Sequence, residues 1–152
     1  MKKLLTCILI TLCHICLLPL QSTGAQQIKI DNIWSRPVHS TVDSQGIYLS
    51  NGAVYLTISN KGPADILLSA ETDVCQKVEL HESKMVNGLM TMNMLKKGLV
   101  IPADGVVKLK PGSYHVMLLG IRTNLNPGDT FALTLHFENH APITVVSVVR
   151  NP

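Results

Sequence analysis

The chain has 152 residues, of which 15% are charged, and a formal net charge of +3 at pH 7. That length suits one domain with a real hydrophobic core. The charge excess is too slight to mark a nucleic-acid binder, and four cysteines are too few to presume a disulfide scaffold before their positions are known.

The first residues, "MKKLLTCILITLCHICLLPLQSTGAQQ", open with two lysines, continue as an apolar run and end in small and polar residues. Thr23 and Ala25 are suitably placed before a cut ahead of Gln26. This is the layout of a secretory signal peptide, so residues 1–25 are expected to be a leader and residues 26–152 the mature domain. His14 and Pro19 interrupt the apolar run, which falls short of the roughly 20 clean apolar residues a membrane span prefers. No stable membrane insertion is expected after cleavage. Cys13 and Cys16 lack small residues just before them, which argues against a lipid-anchored cysteine. Cleavage removes Lys2 and Lys3 and no acidic residue, so the net charge falls from +3 to about +1. The basicity is then a targeting signal and no nucleic-acid partner is expected. Cys7, Cys13 and Cys16 also leave, so Cys75 stands alone and the fold must be held by its core.

Turn residues then punctuate the chain: "NGA" at 51, "NKGPAD" at 60, "NG" at 87, "PADG" at 102, "KPGS" at 110 and "NPGD" at 126. Proline followed by glycine suits the central pair of a type II turn. Between the turns lie short runs rich in β-branched and aliphatic residues, in order "AVYLTIS", "KVELHES", "VVKLK", "FALTLHF" and "ITVVSVV". Several alternate apolar and polar residues, as half-buried strands do. No window sustains a helical stripe, and no repeat or internal linker stands out. The pattern predicts an all-β single domain, an antiparallel sandwich or barrel.

Within it, four of the five methionines beyond residue 25 fall between Met85 and Met94, around "GLMTMNM". On a strand Met90, Met92 and Met94 would share one face, with Leu89, Thr91 and Asn93 on the other. His115 and Met117 have the same spacing. Methionine is also a good core filler, and the histidines could be hydrogen-bonded structural groups. Together, however, they make a coherent donor set. A neutral thioether is a poor ligand for zinc, calcium or magnesium and a good one for Cu(I), and imidazole suits copper in either oxidation state. In an oxidising compartment such a site keeps softness without a thiol that would turn into a disulfide.

Other residues invite competing ideas. Cys75, His81 and Met85, with His39 upstream, resemble the ligand types of a blue electron-transfer copper. If "CQKVELH" is a strand, six residues at roughly 3.3 Å each hold Cys75 about 20 Å from His81, beyond one metal's reach. Glu82 is the candidate to orient the His81 ring, or a plain exposed charge. His136 reads as an outward strand residue in preference to a weak extra ligand, and Trp34 and Tyr114 as packing residues, Tyr114 also placed to help hold the loop beside His115. For an enzyme there is no G-x-S-x-G, no H-E-x-x-H and no resolving partner for Cys75, so no catalytic residue is assigned.

The chain resembles the periplasmic copper A chaperone family. Its hallmark is a histidine, a methionine separated from it by ten residues, and a distant His-x-Met; here these are His81, Met92, His115 and Met117. The interval from Met92 to His115, 22 residues, is slightly longer than the family's usual spacing. The likeness runs through "IWSRP", "NGAVYLTISN", "VELHE", "GLMTM", "IPADG", "LKPGSYHVMLLG" and "PGDTFALTLHFE", in order. It implies a cupredoxin-like β domain in the periplasm. Such a domain holds one Cu(I) per chain on those four residues and delivers it to a copper-accepting protein, the copper A site of cytochrome c oxidase or another chaperone. Some members carry a His/Met-rich tail for Cu(II), whereas this sequence ends "VVSVVRNP". A copper storage or resistance protein, and a secreted β-sandwich adhesion module without metal, are the competing functions.

Overall fold

The computed structural model describes residues 27–151, and the leader expected over residues 1–25 lies outside them. Ten strands and no helix appear among the described residues. They are β1 (Ile28–Ser35), β2 (Gly52–Asn60), β3 (Asp65–Glu71), β4 (Cys75–Val86), β5 (Leu89–Met94), β6 (Leu99–Ile101), β7 (Val106–Leu109), β8 (Tyr114–Ile121), β9 (Thr130–Phe137) and β10 (Ile143–Val149). Each aliphatic run singled out in the sequence falls on a strand.

One continuous sheet runs in the order β5-β4-β8-β2-β1-β10-β9-β3-β6, with β7 also paired to β2. β8 joins β2 over Gly52–Val54, and β7 takes the same edge further along, over Leu56–Ser59. The pairs are antiparallel apart from β1 with β10, which is parallel. These are the first and last strands, and the rest of the chain supplies the long connection that a parallel pair requires. The sheet rolls so that Val54, Leu56 and Ile58 of β2 share one buried cluster with Leu67 of β3 and with Leu133 and Leu135 of β9. Fully burying side chains of this size contributes roughly 1.5–3 kcal/mol each. This is the predicted all-β single domain.

Three turns fix how the strands meet. Asn87 and Gly88 both have positive φ, 49° and 79°, and join Val86 directly to Leu89 across a two-residue hairpin. That is the type I′ geometry which the strand twist favours and "NG" allows. Lys110–Ser113 closes with the Ser113 amide donating to the Lys110 carbonyl at 3.1 Å, Gly112 lying at φ 75°. Asn126–Asp129 closes the same way at 3.0 Å, with Gly128 at φ 95°. Both are the type II turns expected from Pro-Gly.

Candidate metal centre

Successive side chains of a strand point to opposite faces, and residues opposite each other in register share one. Val78 and Leu80 of β4 and Val116 and Leu118 of β8 pack into the core. Glu79, His81, His115 and Met117 therefore occupy the outer face, where register sets His81 against His115 and Glu79 against Met117. β5 adds a third row: Met94 opposite His81, Met92 opposite Ser83, Met90 opposite Met85. The three methionines of "MTMNM" share one face, as alternation predicts. They are not core filler, because Met90, Met92 and Met94 are 58%, 51% and 46% exposed.

Met90, Met92, His115 and Met117 line one cleft of about 520 Å³, with Pro37 and Gly112 among its other walls. His81 is outside that lining but packs edge-on against His115, ring centroids 5.8 Å apart. Met94 faces His81 in register and does not line the cleft. Of the four residues singled out by sequence, three thus border one cleft and the fourth touches the third's ring. Behind them a bulge in β1, with Asn32 at φ 52°, turns Trp34 onto Tyr55 at 4.8 Å between centroids. Tyr55 in turn lies 6.4 Å from the His115 ring.

Each histidine has one nitrogen committed to a protein acceptor. His115 is buried, and its Nδ1–H donates to the Ser113 carbonyl at 3.0 Å, because a carbonyl can only accept. That carbonyl belongs to the type II turn and also receives the Ser83 amide, so the turn ties β8 to β4. The lone pair of His115 is left on Nε2. In His81 the roles are reversed: Nε2–H donates to Glu79 Oε2 at 2.8 Å and the lone pair falls on Nδ1. That Nδ1 is buried and has no hydrogen-bond partner. A buried polar atom without a partner costs about 1–3 kcal/mol, so a ligand there has something to repay.

The residue orienting His81 is Glu79, not Glu82. Glu82 is one position further along β4 and hence on the other face, where it accepts from Lys84 Nζ at 3.0 Å. Glu79 was legible in "ELH", since two residues apart on a strand means the same face. The Lys77 ammonium, 2.6 Å away, and then the His81 ring hold the Glu79 carboxyl below the usual range. Burial pushes the His115 pKa down, the nearby His81 adds to this, and the bond to Ser113 opposes it. Cys75 is buried at the far end of β4 opposite Ile121, its Sγ–H donating to the Lys77 carbonyl at 3.3 Å, and burial pushes its thiol pKa up. Among the described residues no three His, Cys, Asp or Glu side chains gather into a possible metal site. The donors on offer are imidazole and thioether.

The rolled, all-β sheet is the fold of copper chaperone (PCuAC) domains of known structure. The copper-bound PCuAC domain of PmoF2 superposes with a TM-score of 0.61 at 21% identity, covering 83% of this chain and 94% of that one. The Cu(I) form of DR1885 from Deinococcus radiodurans superposes at 0.56 with 27% identity, covering 86% and 85%. The family model described as "Putative lipoprotein LpqE-like" matches residues 28–149, and the chain belongs to that family. A lipoprotein-named relative from Leifsonia xyli subsp. xyli is 31% identical over 100 residues, 65% of this chain and 60% of its own length. A Rickettsia prowazekii protein is 31% identical over 119 residues, 78% of this chain and 64% of its own length. The chain thus spans less than two thirds of the curated relatives it matches.

Proposed function

We propose that this is an exported copper chaperone. It carries one Cu(I) per chain on His81, Met92, His115 and Met117 and hands it to a periplasmic acceptor, the copper A site of cytochrome c oxidase. The observation that carries the reading is the pair of facing imidazoles. Each has one nitrogen anchored, to Glu79 or to Ser113, which leaves one nitrogen of each ring free. That of His81 is buried and unpartnered, while His115 lines the same cleft as Met92 and Met117. Two neutral imidazoles and two thioethers suit a monovalent d10 ion, and no thiolate is needed. The copper-bound state of the PmoF2 and DR1885 relatives supports the same cargo. The lipoprotein names of the family and of the Leifsonia relative support export.

Delivery requires ligand exchange alone, with no catalytic step and no change in the oxidation state of the ion. Acceptor ligands replace donor ligands one at a time at the exposed β5 rim, and a thiolate-containing acceptor binds the ion more strongly. Anaerobic Cu(I) titration against a competing chelator tests the cargo, with one tight equivalent expected. Absence of any tight equivalent refutes the reading. Metal transfer to an isolated copper A domain tests the destination, and a protein that binds Cu(I) but yields none to it is a sink.

A further inference from the structure

The β4–β5 hairpin carries more sulfur than the cleft uses. β4 last pairs with β8 at Glu82–Tyr114, whereas its pairing with β5 continues to Val86–Leu89. The hairpin therefore projects past its neighbour, and its stiff type I′ turn keeps the projecting part a regular two-stranded ribbon. On that ribbon Met85 and Met90 stand directly opposite each other, on the cleft face, with Met92 the next same-face residue of β5. Directly opposed residues have Cβ atoms about 4.5–5.5 Å apart, within reach of flexible thioethers. Met85 is 64% exposed and Met90 58%, so these side chains fill no core, and Met90 and Met92 also line the cleft.

We propose that Met85, Met90 and Met92 form a second, all-thioether Cu(I) site at the hairpin tip, through which the ion enters and leaves the cleft. The proposal rests on the Cu(I) chaperone reading and extends it. Three neutral sulfurs suit Cu(I) and reject harder cations. Met92 belongs to both sites, so the ion moves inward by exchanging Met85 and Met90 for Met117, His115 and His81 while one sulfur stays bound. No electron or proton moves, and the ion remains Cu(I) throughout. The tip is the weaker site, because it offers no imidazole and its ligands are free in solvent.

The test uses Ag(I), a d10 ion inert to reoxidation, titrated into protein carrying 13C-labelled methionine methyl groups. The first equivalent is expected to shift the Met92 and Met117 methyls. With Met92 then taken by the cleft ion, a second and weaker equivalent is expected to be held by Met85 and Met90 and to shift theirs. If Met85 and Met90 stay unshifted in excess Ag(I), the tip site is refuted. If Met92 and Met117 fail to respond to the first equivalent, the cleft reading itself fails, whatever the tip does. Met85→Leu changes an exposed side chain of similar size. It is expected to abolish the second equivalent, keep the first, and slow Cu(I) uptake from a bicinchoninate complex several-fold. Uptake at the wild-type rate overturns the transit role.

Discussion

Two histidines of this sheet are paired with carboxylates on its outer surface, and they differ in everything else. His81 donates to Glu79 at 2.8 Å with both side chains nearly covered, 13% and 12% exposed. His136 on β9 lies 3.2 Å from Glu71, and those side chains are 34% and 69% exposed. Around His81 stand a second imidazole and a row of thioethers. Around His136 the register places Ser69, and the neighbouring hollow is lined by Glu71, Thr72, Asp73, Ala132 and Thr134. An exposed ion pair is worth little on its own and is screened by salt. A site needs what only the first place has: an anchored ring with a free, buried nitrogen, beside soft donors.

Removing the rings should break this contrast most sharply. His81→Ala and His115→Ala are expected to abolish tight Cu(I) binding and any Cu(II) binding, since imidazole serves both ions. His136→Ala should leave both untouched. Chelator competition on the three variants checks it, and loss of copper from the His136 variant would erase the distinction.

Met92→Leu and Met117→Leu come next. They keep apolar bulk, and volume-conserving swaps usually cost under about 1.5 kcal/mol of stability. Cu(I) affinity should fall markedly while urea midpoints hardly move and Cu(II) binding, being carried by imidazole, changes less. Wild-type Cu(I) affinity in both variants would return the methionines to mere surface.

The sequence made some of this legible and hid the rest for physical reasons. Alternation in "LMTMNM" and "YHVM" put the right side chains on shared faces, because a strand's period is fixed at two. It could not show that β4 lies between β5 and β8, which is what sets His81 against His115, because register between distant strands depends on the whole sheet. Naming Glu82 as a candidate partner of His81, beside its reading as a plain charge, followed adjacency in sequence, whereas the strand obeys a spacing of two and brings Glu79 to the ring. The parallel β1–β10 pair joins segments over a hundred residues apart and left no local mark.

Glu79 gives a smaller effect of the same kind. Groups that hold a ligand histidine typically account for 10–100-fold in metal affinity. Glu79→Gln should weaken Cu(I) binding by about that factor, because an amide can still accept from Nε2–H but adds no charge. Glu82→Gln, on the opposite face, should do nothing. Equal effects from the two would show that only net charge matters.

Acidity should act through His115 in a defined direction. Its folded pKa lies below the ordinary imidazole value of about 6.5, so the neutral ring is favoured in the folded protein. The stability this entails is present above the unfolded value and is lost as pH falls through the folded one, when the buried ring must take a proton. The share of copper binding carried by His115 should therefore be lost only below about pH 6.5. In the metal-free protein, His115→Gln should flatten the loss of stability across the same window, and an unchanged slope in acid urea titrations would argue that another group carries it.

Replacing Cys75 with serine should have the least effect on copper. The thiol is buried opposite Ile121, six strand residues from His81, which at roughly 3.3 Å per residue is about 20 Å. Burial pushes its pKa up, so it stays a neutral thiol rather than the thiolate that binds metals. A serine hydroxyl can donate to the same Lys77 carbonyl that Cys75 uses, so the group need not be left unpaired. What is lost is the apolar character of the sulfur, and stability should drop by about 1 kcal/mol, the lower end for burying a hydroxyl. Stoichiometry and Cu(I) affinity should match the wild type in chelator competition. A variant that lost copper, or a wild type that turned intensely blue with Cu(II), would require the thiol to reach the metal. Neither the β4 register nor the length of the strand permits that.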